Sequence, residues 1–247
     1  PYHVVSPDSR LVAVPRRHST DLVEIETGRT ILAKPSEEEI SWPLAWLPDG
    51  TALARMESGG LVELIAVPGG KVVRAFRVDG AGYHSLSLAG DGRRLIVCST
   101  GSKGAIEWDI STGRRIGPLP LDGLERPLGA VRIAPGGRIL ITQEVFSEEL
   151  VTWDTAGWRR RHVLRGHSQP IQSFAVSRDG SRVATAGLDR TVRVWSLETG
   201  RLETVLLGHD GDVTGVCFHD SGRLLATTGT DRTLRLWEIS PEAETDR

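Results

Sequence analysis

Threonine, histidine and aspartate can be assembled into a nucleophilic triad, and this chain carries them twice at one spacing: His167, Thr185 and Asp189, then His209, Thr227 and Asp231. In such a centre the imidazole activates the hydroxyl and the carboxylate orients the imidazole. Duplication argues against that chemistry, because a reaction needs one centre whereas a structural bond is needed in every repeat. Other catalytic signatures are missing from the sequence: no G-x-S-x-G elbow, no H-E-x-x-H, no paired C-x-x-C and no G-x-G-x-x-G between a strand and a helix. Gly69-Gly70-Lys71 has neither the upstream glycine nor the following hydroxyl residue of a phosphate loop and reads as a hairpin turn. The remaining histidines show no ligand spacing. No catalytic residue, metal or cofactor is expected.

The sharpest basic cluster, Trp158-Arg159-Arg160-Arg161-His162, has the chemistry to contact phosphates or an acidic partner. Its register puts it on an outer strand, where charge protects a sheet edge from pairing with other chains, and that reading is preferred. Glu37-Glu38-Glu39 and Glu148-Glu149 read as solvated loops. A formal net charge of −2 over 247 residues offers no basic stripe for nucleic acid or for an anionic membrane surface. The longest apolar runs, such as Leu61 to Val67, fall short of the roughly 20 residues of a membrane helix. No membrane contact by this segment is expected. Cys98 and Cys217 each sit in an apolar run and read as small buried side chains, not as a disulfide. Lysine occurs only at 34, 71 and 103 against a large arginine content, a bias that fits a GC-rich genome. The chain starts at Pro1 without an initiator methionine, so a longer parent protein is expected.

The elements that position these residues follow from a repeat. Tight-turn signals recur at Pro7-Asp8-Ser9, Pro48-Asp49-Gly50, Gly90-Asp91-Gly92, Pro135-Gly136-Gly137, Arg178-Asp179-Gly180 and Asp220-Ser221-Gly222, with last residues 41, 42, 45, 43 and 42 apart. Each lies between two apolar runs, the pattern of a hairpin. A third run follows in every unit, for example Thr191 to Trp195 and Thr233 to Trp237, and often ends in Thr-Gly-Arg, as at Thr199-Gly200-Arg201. A fourth run, such as Val72 to Val78 or Leu202 to Leu207, completes a four-stranded meander. One such sheet cannot bury both faces, so the units must stack, and radial stacking is the economical closure. The expected fold is all-β, a β-propeller of four-stranded antiparallel blades with six repeat units.

Two units carry enough side-chain detail to name a family. Leu164-Arg165-Gly166-His167 through Gly187-Leu188-Asp189-Arg190-Thr191-Val192-Arg193-Val194-Trp195 closely resembles a WD repeat, and so does Leu207-Gly208-His209 through Gly229-Thr230-Asp231-Arg232-Thr233-Leu234-Arg235-Leu236-Trp237. In both, the tryptophan follows the histidine by 28 residues. The resemblance is to the WD40-repeat propellers, in a bacterial member, and covers Leu164 to Ile239. The other units are assigned by spacing: Trp108-Asp109 and Trp153-Asp154 keep the terminal dipeptide, while Val23 and Ile65 stand at the tryptophan position. The resemblance implies a hydrogen-bonded lock within each complete blade, made by His167, Thr185, Asp189 and Trp195, and again by His209, Thr227, Asp231 and Trp237.

Units are expected at about 1–34, 35–77, 78–119, 120–163, 164–206 and 207–240, with 241–247 as a disordered tail. This arrangement supplies six first, second and third strands but five fourth strands. Family architecture then implies a closing strand upstream of Pro1, and either a six-bladed ring with one three-stranded blade or most of a seven- or eight-bladed ring, the second preferred for the family's usual seven blades. By the same analogy the residue before the turn aspartate faces the partner surface: Leu188 and Thr230 in the clear repeats, with Arg16, Ser58, Gly101 and Phe146 as equivalents. Phe146 beside Leu188, flanked by Arg16 and Arg17, would form an apolar anchor patch. The resulting expectation is a monomeric, cytoplasmic, non-catalytic scaffold or sensor module that binds a protein or peptide and no nucleic acid. The alternative is a hydrolase-type propeller enzyme with its site in the central channel.

Overall fold

The computed structural model describes residues 4–36, 40–78, 83–89, 91–99 and 104–239. Every element among them is a strand, and each sheet is an antiparallel meander of consecutive strands, the blade of a β-propeller. The first sheet is β1 (Val4–Val5), β2 (Leu11–Pro15), β3 (Ser19–Glu24) and β4 (Thr30–Pro35). The second is β5 (Ile40–Trp46), β6 (Ala52–Glu57), β7 (Leu61–Ala66) and β8 (Val72–Arg77). The third is β9 (Tyr83–Leu88), β10 (Arg94–Ser99), β11 (Ala105–Asp109) and β12 (Arg114–Pro118). The fourth is β13 (Leu128–Ile133), β14 (Ile139–Glu144), β15 (Leu150–Asp154) and β16 (Arg159–Leu164). The fifth is β17 (Ile171–Val176), β18 (Arg182–Gly187), β19 (Val192–Ser196) and β20 (Leu202–Leu206). The sixth has three strands among the described residues, β21 (Val213–Phe218), β22 (Leu224–Gly229) and β23 (Leu234–Glu238).

The turns between first and second strands form for local reasons. The carboxylate of Asp49 accepts the Thr51 amide at 2.9 Å, Asp91 that of Arg93 at 2.9 Å, and Asp179 that of Ser181 at 3.0 Å. At Asp49 the amide and hydroxyl of Thr51 hold the carboxyl below its ordinary range. Gly50 and Gly180 close their turns with φ of 71° and 72°, a backbone region costly for other residues.

Two compact units, 1–132 and 133–247, divide the chain. In the first, Ala54, Met56, Val62 and Leu64 of the second sheet pack on Leu86, Leu88, Leu95, Val97 and Trp108 of the third. Ala13 and Leu22 of the first sheet pack on Leu44, Trp46 and Leu53 of the second. In the second unit, Ile141 and Leu150 of the fourth sheet pack with Val183 and Trp195 of the fifth. Ala184 and Val194 of the fifth in turn meet Leu225, Val216 and Phe218 of the sixth.

Cys98 is buried and free, and burial pushes its thiol up to about 12. Cys217, read above as a second buried thiol, is exposed. It pairs with Ala226, which pairs with Leu236, and Leu234 and Leu236 on that strand are 66% and 72% exposed. An apolar run does not by itself say which of its two faces a neighbouring sheet will cover.

Candidate binding surface and the bonds that hold it

His167 lies in the segment between β16 and β17, Thr185 on β18, Asp189 in the turn after β18 and Trp195 on β19. Asp189 accepts from His167 Nδ1 at 2.9 Å, Thr185 Oγ1 lies 2.8 Å from His167 Nε2, and Trp195 Nε1–H donates to Thr185 Oγ1 at 3.0 Å. His209, Thr227, Asp231 and Trp237 repeat the chain, at 2.8 Å for each of the three links. Desolvation lowers the pKa of His167 against the opposing pull of Asp189, which favours a neutral ring that donates from Nδ1 and accepts the Thr185 hydroxyl at Nε2. Burial pushes the Asp189 carboxyl up, but bonds from Thr191, the Ser168 amide and His167 outweigh it and hold the group below the carboxylate range. Asp231 is held low in the same way by Thr233, His209 and the Asp210 amide, again against desolvation.

Thr185 and Thr227 are buried, and each hydroxyl is engaged on both sides. Neither is open to a substrate, so what this arrangement does is tie the segment entering a blade to its second and third strands. Thr191 and Thr233 belong to the same networks, donating to the turn aspartates at 2.8 and 2.9 Å. Sequence reasoning passed over both, although the recurring Asp-Arg-Thr was there to read.

Incomplete versions occur elsewhere. In the fourth sheet Trp153 Nε1–H donates to Thr142 Oγ1 at 2.9 Å, and Gln143 donates to the Ile171 carbonyl at 2.5 Å. In the third sheet the register places Val97 where the fifth has Thr185. The buried indole N–H of Trp108 accordingly has no hydrogen-bond partner, and its ring stacks on Phe76 at 5.8 Å. Val97→Thr should give that N–H an acceptor and raise the denaturation midpoint by about 1 kcal/mol equivalent. Chemical unfolding of the two proteins side by side checks this, and a lower midpoint in the variant would refute it.

The surface residues divide between the two units. Arg16 and Ser58 are exposed in turns of the first, and Arg16 pairs with Asp21 at 3.1 Å. Gly101 and Glu37 to Glu39 lie outside the described residues. In the second unit Phe146 is 78% exposed with φ of 57°, in a turn closed by the Ser147 amide on the Glu144 carbonyl. The Ile171 amide bonds the Ser147 carbonyl at 2.9 Å and the Leu188 amide bonds the Pro170 carbonyl at 3.0 Å, so the turns of Phe146 and Leu188 are both fastened to Pro170-Ile171. The Thr230 amide similarly bonds the Asp212 carbonyl at 2.8 Å. Phe146 does not occupy the place of Leu188 in its turn. The pairs Thr142–Val151 and Thr185–Arg193 show that the fourth-sheet hairpin is one residue longer. The left-handed residue falls on Phe146 itself there, and on Arg190 and Arg232 in the two complete repeats.

The basic cluster lies on and beside β16. Arg161 meets the Glu198 carboxylate at 3.1 Å and His162 the Glu198 carbonyl at 3.0 Å, leaving Arg159 and Arg160 exposed. Among the described residues no group of three or more His, Cys, Asp or Glu is placed to hold a metal ion, and no helix is long and apolar enough to cross a membrane.

The sheets define a β-propeller, and two of its segments, residues 158–196 and 200–238, match the family described as WD domain, G-beta repeat. These are the two segments that carry the complete locks. The chain is similar to Protein groucho of Drosophila melanogaster, 30% identical over 118 residues, which is 48% of this chain and 16% of that protein. It is 28% identical over 144 residues to U3 small nucleolar RNA-associated protein 21 of Saccharomyces cerevisiae, covering 58% of this chain and 15% of the relative. Cell division control protein 4 of the same yeast is 28% identical over 71 residues, 29% of this chain and 9% of the relative. The chain thus spans less than a fifth of the length of each of these relatives.

Proposed function

We propose that this protein is a non-catalytic interaction scaffold or sensor module that binds a protein or peptide through the turns that follow the second strands. The observation that carries this reading is Phe146, a large apolar side chain 78% exposed on a turn that the Ile171 amide fastens to the neighbouring sheet. An apolar anchor on a rigid support, with polar groups around it, is what a binding hot spot requires. Leu188 and Thr230 extend the surface in the same unit, and Arg16 and Ser58 are its counterparts in the first. The net charge of −2 favours a protein over a nucleic acid. The low coverage of the relatives supports a place within a larger multidomain protein. The arginine bias suits a bacterial source, and the module is proposed to be monomeric and cytoplasmic.

The test is capture from native lysate with mass spectrometry, comparing the intact protein with a Phe146→Ala, Leu188→Arg variant whose circular dichroism matches. A stoichiometric protein partner retained by the intact chain, and weakened at least about tenfold in the variant, is expected for loss of anchor residues. A partner indifferent to both changes would remove the surface assignment, and recovery of nucleic acid alone would replace the protein reading.

A further inference from the structure

The second sheet has neither the histidine nor the tryptophan of the complete repeats, yet it holds the most deeply buried charge described in the chain. Arg55, on β6, is 1% exposed. Its partner across the sheet is Glu63 on β7, the same register relation that joins Thr185 to Arg193 on β18 and β19. The Arg55 side chain therefore leaves the sheet at the position that carries the lock threonine in a complete repeat. Its Nε–H donates to Glu63 Oε2 at 2.8 Å and Nη2 reaches the same oxygen at 2.6 Å. Nη1 donates to the Lys34 carbonyl at 3.0 Å and Nη2 to the Pro35 carbonyl at 2.8 Å, with Glu57 Oε1 at 3.5 Å. Glu57 in turn accepts from the Ser36 hydroxyl, and the Ser36 amide donates to the His18 carbonyl at 3.0 Å.

These contacts describe a strap. Lys34 and Pro35 end the outer strand of the first sheet, as Leu164 ends that of the fourth just before His167. We infer that Arg55, with Glu57 and Glu63, ties the segment entering the second blade to its second and third strands, replacing by a buried ion cluster what His167 and His209 do in the complete repeats. A buried ion carries a large desolvation penalty and is tolerated when its whole donor set is met. The planar guanidinium fork reaches two carboxylates and two carbonyls at once, which a lysine ammonium cannot. Arg55 is also a positioning residue for the turn that carries Ser58. That turn starts at Glu57, whose carbonyl accepts the Gly60 amide at 2.9 Å, so opening the strap loosens this part of the surface. The signal in the sequence was the alternation Arg55-Met56-Glu57 inside an otherwise apolar strand, which periodicity alone reads as a polar face.

The test is amide hydrogen exchange on the full chain, followed in peptides spanning 30–36 and, as control, 171–176. Arg55→Met keeps most of the stem volume and removes the charge, and it should speed exchange of the 30–36 segment at least tenfold while the control is unchanged. Arg55→Lys should fall between. Glu63→Leu breaks the bonds from Arg55 to β7 but leaves those to the Lys34 and Pro35 carbonyls, so it should speed the segment less than Arg55→Met. The double variant should be no faster than Arg55→Met alone, because the arginine change already removes every bond the glutamate change does. Should Arg55→Met fail to fold, Glu57→Gln supplies a milder break, expected to speed the same segment a few-fold. Wild-type exchange in 30–36 for the variant that folds, or multiplicative rather than shared effects of the Arg55 and Glu63 changes, would overturn the strap.

Discussion

Thr185→Val is expected to destabilise the second unit by about 2 to 5 kcal/mol, well beyond the cost of losing one hydrogen bond. The substitution keeps the shape of the side chain and removes one oxygen, but that oxygen serves two neighbours. The Trp195 N–H loses its acceptor at 3.0 Å and His167 Nε2 loses its partner at 2.8 Å, both buried where water cannot replace them. Trp108 already lives with one such orphan, in a sheet whose register supplies a valine at that place. Equilibrium unfolding monitored by tryptophan fluorescence measures the loss. His167→Ala, made alone and together with Thr185→Val, should show strong non-additivity because the two changes break one chain. Additive effects would mean that the bonds act separately.

The second large effect is on acid stability. The folded pKa of His167 is depressed, chiefly by desolvation, so the unfolded chain binds that proton more tightly. Its contribution is complete above the ordinary histidine value of 6.5 and is lost as pH falls through the lower folded value. Asp189 and Asp231 are likewise depressed, from 3.8, and their contributions disappear as pH falls below that value through their folded ones. Both groups push in one direction, so the denaturation midpoint should decline steadily from pH 7 towards pH 3, first from the histidine and then from the carboxylates. On the alkaline side Cys98, raised from 9.0 to about 12, contributes stability that is lost as pH rises across that interval. A titration of the midpoint checks the profile. His167→Gln should flatten the limb below pH 6.5 and Cys98→Ala the limb above pH 9, whereas unchanged slopes would show that other groups govern them.

Much of this architecture was legible in one dimension. Hairpins are local, so Asp49-Gly50 and Asp179-Gly180 announce their turns by residue type and their spacing counts the sheets. The lock residues recur at one interval because each blade repeats the same short path from the entering segment to the third strand. What only the tertiary structure decided depends on neighbours distant in the chain. Cys98 and Cys217 lie in similar apolar runs, yet one is buried and the other exposed, because burial of a sheet face is set by the sheet beside it. The one extra residue that turns Phe146 into the left-handed position is invisible until strand register is known. Arg55 reads as a polar residue until the carbonyls of Lys34 and Pro35 are brought to it across two sheets. Sequence spacing specifies the bonds a strand makes within its own hairpin, and the stacking of sheets, which no local pattern encodes, specifies which side chains lose water and whom they then must meet.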